Sequence, residues 1–206
     1  MAILYRSSLL YHGLMTAVYH VHRRERFREV AQWVPEGAEV LDVCCGDGAL
    51  TGYLDSSVRY RGLDQSPVFV ARARDRGREV EHFDLRRASL PGSQVVVCQA
   101  SLFQFYPDVD EVLGQLFDAA LQRLIISESV KSLTQSRWSC LSRIVAWGTH
   151  VEGMTNDHFR FCPEGLDRLF HPYAAHLRHA REVCGGRDWL YVLDKQPSRG
   201  IAREEI

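Results

Sequence analysis

No Cys-x-x-Cys pair and no evenly spaced cysteine framework occurs in this chain. Its six cysteines, at 44, 45, 98, 140, 162 and 184, are therefore expected to be reduced, small core residues in a reducing compartment. An excess of either charge is missing too: 25 basic side chains face 26 acidic ones, for a net charge of −1. That balance excludes a general attraction to phosphate backbones, though not a local patch. Internal repeats and low-complexity tracts are absent, as is any long apolar run. The most apolar stretch, "SLLYHGLMTAVYHV", is interrupted by Tyr11, His12 and His20 and is followed by no small-residue cleavage site. It is too short and polar for a membrane span and a poor signal peptide, so a cytoplasmic protein is the expectation.

What is present is ordinary globular composition, 46% hydrophobic and 25% charged over 206 residues. That length suits one α/β domain with a small appendage. Leu9 to Trp33 carries apolar residues at helical spacing before the charged run "HRRERFREV", and Pro35 and Gly37 stop it. Strands and helices then alternate. "EVLDV" is the first strand, with a helix starting at Ala49 to Leu54. "YRGLD" is the second, followed by a Ser66-Pro67 cap and first-turn proline. "VEHFD" (80–84) is the third. "SQVVVCQ" is continuous and β-branched, as in a strand buried on both faces. A helix from Asp108 to Leu121 leads into "RLIISES".

Beyond Glu128 the spacing predicts a helix over 134–147 carrying Trp138 and Trp147, a polar loop, and a short helix from Pro163 to Phe170. "HLRHAREV" and "WLYVLDK" read as a hairpin around Gly185-Gly186. The sum is an α/β, Rossmann-like three-layer sandwich: a mostly parallel seven-stranded sheet with an antiparallel C-terminal hairpin.

The chemistry concentrates at the strand ends. Asp42 closes the first strand and is followed at once by Cys44, Cys45, Gly46 and Gly48. A dinucleotide would lay its pyrophosphate on such a turn, but the G-x-G-x-x-G spacing fails and Asp42 would repel it. A cation reverses the sign, with Asp42 and Asp47 favouring an ammonium or a sulfonium. Asp64, 22 positions on, can accept from both hydroxyls of an unphosphorylated ribose. Asp84 can accept from an adenine amino group while the Leu85 N–H donates to the ring. A cationic end, a ribose and an adenine make up S-adenosylmethionine.

With those residues in view, "VLDVCCGDGALTGYL", "YRGLDQSPVFVARAR", "VEHFDL" and "SQVVVCQASLFQF" together resemble the class I S-adenosylmethionine-dependent methyltransferases of small-molecule type. The resemblance covers Val40 to about Glu128 with four motifs in order. It implies that Asp42 and the backbone of Cys44 to Gly48 hold the cofactor's amino-acid end. Asp64, with Gln65 beside it, would hold the ribose, and Asp84 and Leu85 would face adenine. The Cys98 backbone and Gln99 would meet the ammonium. Two departures stand out: Cys44 replaces the loop's first glycine, and "DAALQRL" replaces the usual turn before the fifth strand.

On this reading residues 1–206 form a single methyltransferase domain. Residues 1–35 would be an N-terminal helical cap, and 130–162 a helical and loop insert shaping the substrate site. A hydroxyl acceptor would need a general base, for which His158 is the first candidate, with Tyr11 and His12 behind it. His158 can equally be a hydrogen-bonded structural histidine. The acceptor is expected to be a small molecule, and the aromatic N-terminal segment and tryptophan-bearing insert hint at a hydrophobic one. The pattern fixes no oligomeric state. Plainer readings stand beside these. Asp42 and Asp64 could cap helices and Asp84 could end an Asx turn. His20 and His22 lie on different helix faces, so no metal site is expected. The arginines at 23, 24, 26 and 28, and at 72, 74, 76 and 78, are expected on solvated faces. Two other functions stay open: a non-catalytic binding or scaffold protein with a degenerate methyltransferase fold, and an RNA methyltransferase. A base-methylating enzyme is disfavoured, since "CQAS" stands where a "PPY"-type tetrapeptide would follow the fourth strand.

Overall fold

Continuous runs of buried strand positions organise the chain into a sheet covered on both faces. The computed structural model describes residues 22–130 and 161–196. Its elements in order are α1 (His22–Ala31), β1 (Glu39–Val43), β2 (Arg59–Asp64), α2 (Pro67–Asp75), β3 (Val80–His82), β4 (Ser93–Gln99), α3 (Val109–Ala119), β5 (Ala120–Ser129), α4 (Pro163–Phe170), β6 (Leu177–Val183) and β7 (Asp188–Asp194). The seven strands form one sheet in the order β3-β2-β1-β4-β5-β7-β6. β1 to β5 pair in parallel, and β7 runs antiparallel to both β5 and β6. Winding reverses between β1 and β4, which is where ligands of open α/β sheets bind.

The central strands explain their own position. Val95, Val96, Val97 and Cys98 of β4 and Leu124, Ile125 and Ile126 of β5 are almost wholly buried, as continuous β-branched runs must be when helices cover both faces. On one face Leu41, Val43, Val96, Leu124 and Ile126 pack against Leu113 and Leu116 of α3 and Leu166 and Phe170 of α4. On the other, Val40, Val95, Val97 and Ile125 meet Val30 of α1, and Tyr60 bridges to Val70 and Ala73 of α2. At about 25 cal/mol per Å² of apolar surface removed from water, these two layers dominate the folding free energy.

Two expected elements end early. The helix after β1 is a single 3₁₀ turn, Ala49–Gly52: Gly52 disfavours continuation, and the Asp55 carboxylate takes the Ser57 N–H at 2.8 Å to start a turn. β3 ends at His82 instead of Asp84, because the Asp84 side chain accepts from the Arg86 N–H at 3.0 Å and turns the chain away. α2 begins as its cap foretold, with Ser66 Oγ accepting from the Phe69 N–H and Pro67 at the first position. No helix among the described residues is long and apolar enough to cross a membrane.

A candidate cofactor site at the tips of β1, β2 and β4

β1 delivers Asp42 and Val43 into a loop that turns through three left-handed residues, Cys44 (φ 58°), Gly46 (φ 60°) and Gly48 (φ 70°). Glycine adopts this region freely. A cysteine there costs on the order of 1–2 kcal/mol, which accounts for the resemblance's glycine at position 44. Cys44 stays in place because it packs against the core that holds Cys98. All five described cysteines are free thiols.

The loop is fastened to β2. Cys45 N–H donates to the Leu63 carbonyl at 3.1 Å. Gly46 N–H donates to Asp64 Oδ2 at 2.7 Å, and Ser66 N–H to Asp64 Oδ1 at 2.8 Å. Asp64 is only 8% exposed, and burial raises its pKa against the pull of those two amides. Each carboxylate oxygen keeps a lone pair for a further donor.

Asp42 is buried deeper, 2% exposed, and its Oδ2 accepts from the Tyr60 hydroxyl at 2.9 Å. Burial pushes it up to about 7; the tyrosine hydrogen bond lowers it, and the Asp64 charge adds to the rise.

Asp47 differs from expectation. It is 3% exposed and pairs with Arg76, while Arg78 Nη1 donates to its carbonyl at 2.7 Å. Its charge is consumed by the protein, so it offers nothing to a cationic ligand. The same contacts correct the expectation for the second arginine run. Arg76 and Arg78 clamp the glycine loop, and Arg74 Nε donates to the Val80 carbonyl at 2.9 Å.

Of the other expected site residues, Gln65 is exposed beside Asp64, and Leu85 is buried. Asp84 is partly exposed, with one oxygen in an Asx turn to the Arg86 N–H and the other paired with Arg87 at 3.2 Å. Gln99 ends β4 with its Oε1 buried and without a hydrogen-bond partner. His158, Tyr11, His12, Trp138 and Trp147 lie outside the described residues. Among the described residues no group of three His, Cys, Asp or Glu is arranged to hold a metal.

Two features were not foreseen. Tyr60 reaches Asp42 because the β1–β2 register places Gly62 opposite Asp42, which leaves room there; only the strand pairing reveals this. Glu128, fully buried at the tip of β5, accepts from the Ser101 and Leu102 N–H groups at 3.1 and 2.8 Å and so anchors the chain leaving β4. Its position after a strand-like apolar run was the available signal.

Two observations suit the residues at these strand tips to an adenosyl amino acid. A Cβ built on Gly46 meets nothing within 4 Å, so that side of the loop is open. The orphaned Gln99 Oε1 is an acceptor in want of a donor.

Raised carboxylates make stability depend on pH. Burial lifts Asp42 and Glu128 to about 7, above their unfolded range, so each favours the fold in its protonated form. Their contribution is complete below about pH 4 and is lost as pH rises through about 7. Urea unfolding should therefore show wild type losing roughly 2–3 kcal/mol more than Asp42→Asn between mildly acidic and mildly alkaline buffer. Parallel curves would contradict this.

The strand order is that of the class I S-adenosylmethionine-dependent methyltransferase fold, which solved structures share. Magnesium protoporphyrin IX methyltransferase from Synechocystis PCC 6803, solved with bound SAH, is 14% identical with a TM-score of 0.67, covering 94% of this chain and 97% of that one. A possible histamine N-methyltransferase from Thermotoga maritima is 15% identical with a TM-score of 0.64, covering 94% and 99%. A TehB-like methyltransferase from Corynebacterium glutamicum is 17% identical with a TM-score of 0.61, covering 92% and 96%. No curated protein matches the sequence. Residues 24–144 match the family described as "Methionine biosynthesis protein MetW", and the chain belongs to that family.

Proposed function

We infer that this protein binds S-adenosylmethionine across the tips of β1, β2 and β4 and transfers its methyl group to a small-molecule acceptor. The observation that carries the reading is Asp64: a nearly buried carboxylate at a strand tip, tied through Gly46 to the glycine loop and through Ser66 to α2. Each oxygen keeps a lone pair, and the two together would take a ribose diol. Asp42 and the Cys44–Gly48 backbone would hold the amino-acid end, with Gln99 and the Cys98 backbone on the ammonium. Gln65 would stand beside the ribose, and Asp84 and Leu85 would face adenine.

Once bound, the cofactor supplies an electrophilic methyl group on a sulfonium. The protein's share is alignment and exclusion of water, since the leaving thioether needs no acid. A hydroxyl acceptor needs its proton removed; His158 is proposed for that, with Tyr11 and His12 as further candidates. The chain would act as one domain, with residues 1–35 as a cap and 130–162 shaping the acceptor site, whose aromatic residues favour a hydrophobic acceptor.

Calorimetry with S-adenosylmethionine and S-adenosylhomocysteine should give micromolar binding. Methyl-labelled cofactor incubated with cell extract should then label a small molecule seen by mass spectrometry. No binding of either compound overturns the reading. Binding without labelling of any component would replace the enzyme by a binding protein.

A further inference from the structure

At the tip of β1 lies a buried carboxylate, Asp42, beside which no cation stands among the described residues. Among the described residues, the groups that face Asp42 are the Tyr60 hydroxyl and Asp64 of β2, the Cys45 thiol of the loop and the Cys98 thiol of β4. A buried carboxylate in such company depends on its hydrogen bond. The donor is held tightly. A Cβ on Gly62 would lie 3.0 Å from Tyr60 Oη, 2.9 Å from Val80 Cγ2 and 2.6 Å from Cys45 Sγ, and a Cβ on Gly48 would lie 3.4 Å from the same hydroxyl. The tyrosine oxygen thus occupies a slot that two glycines leave open beneath the loop.

We propose that Tyr60 is a positioning residue for this site: from the slot between Gly48 and Gly62 its hydroxyl fixes the Asp42 carboxylate, and through it the glycine loop, for the cationic end of the ligand. The inference rests on the S-adenosyl reading above. Without the hydroxyl, Asp42 loses the hydrogen bond that favours its charged form against burial and the Asp64 charge. A cationic ligand favours the charged carboxylate, so binding near neutral pH shifts Asp42 toward that form and releases a fraction of a proton to the buffer.

The test is calorimetry of S-adenosylhomocysteine binding on either side of neutrality, in two buffers of different ionisation enthalpy, for wild type, Tyr60→Phe and Asp42→Asn. Wild type should tighten as pH rises through about 7 and release protons. Tyr60→Phe should bind about tenfold more weakly at neutral pH, the worth of one net hydrogen bond, with its midpoint moved to higher pH and more protons released. Asp42→Asn, which keeps an acceptor for Tyr60, should bind without this pH dependence and release no proton; it carries the test if Tyr60→Phe fails to fold. Equal midpoints and proton counts in wild type and Tyr60→Phe overturn the inference, as does an Asp42→Asn protein that keeps the wild-type profile. A folded wild type that binds nothing at any pH overturns the S-adenosyl reading, and this inference falls with it.

Discussion

Replacing Arg26 by methionine will lower the free energy of unfolding by about 3–5 kcal/mol, the range for stranding a buried charge. Arg26 is 6% exposed on α1, and its Nε lies 3.4 Å from Asp188 Oδ2. Asp188 is equally sealed and takes the Ser129 hydroxyl at 2.6 Å on its other oxygen. Glu128 feels both: the Asp188 charge raises it and the Arg26 charge lowers it. Removing the guanidinium leaves two buried carboxylates without their shared cation. The double variant Arg26→Met, Asp188→Leu should recover most of the loss, because an apolar pair carries no desolvation penalty. Arg24→Met, on an exposed position of the same helix, should change stability by less than about 0.5 kcal/mol. Urea unfolding of the three variants decides it; equal effects of Arg26→Met and Arg24→Met would contradict the account.

Asp64→Asn should weaken S-adenosylhomocysteine binding about a hundredfold, some 2.7 kcal/mol, from the loss of charge-assisted hydrogen bonds. Asparagine offers one acceptor oxygen where the fold needs two. Its amide would therefore face the N–H of Gly46 or of Ser66, donor against donor, and stability should fall by about 1–3 kcal/mol. The two losses are separable: calorimetry on protein shown to be folded by its circular dichroism reads the affinity alone. Unchanged affinity would remove Asp64 from the site.

Much of the fold was legible because its signals are local. "SQVVVCQ" has the composition of a doubly covered strand, Ser66-Pro67 is a helix start, and Gly185-Gly186 closes a hairpin, and each stands where expected. The glycine loop was legible for the same reason. What escaped was partnership. Arg26 read as one of a run of surface arginines, and the packing of α1 across β5, β6 and β7 buries it. Asp47 read as an acid available to a ligand, until α2 brought Arg76 and Arg78 round to it. Tyr60 looked like any strand tyrosine, since its tie to Asp42 depends on a register that sets Gly62 opposite the acid. Asp84 illustrates a smaller failure, where a side chain's hydrogen bond to its own backbone ended a strand two residues before the apolar pattern did.

The most direct measurement is a crystal structure of the protein grown with S-adenosylhomocysteine. Both ribose hydroxyls should lie on the Asp64 carboxylate, the amino-acid end over the loop from Cys44 to Gly48, and the ammonium within hydrogen-bond distance of Gln99 Oε1. A ligand seated elsewhere on the chain, with Asp64 bonded only to Gly46 and Ser66, would contradict it.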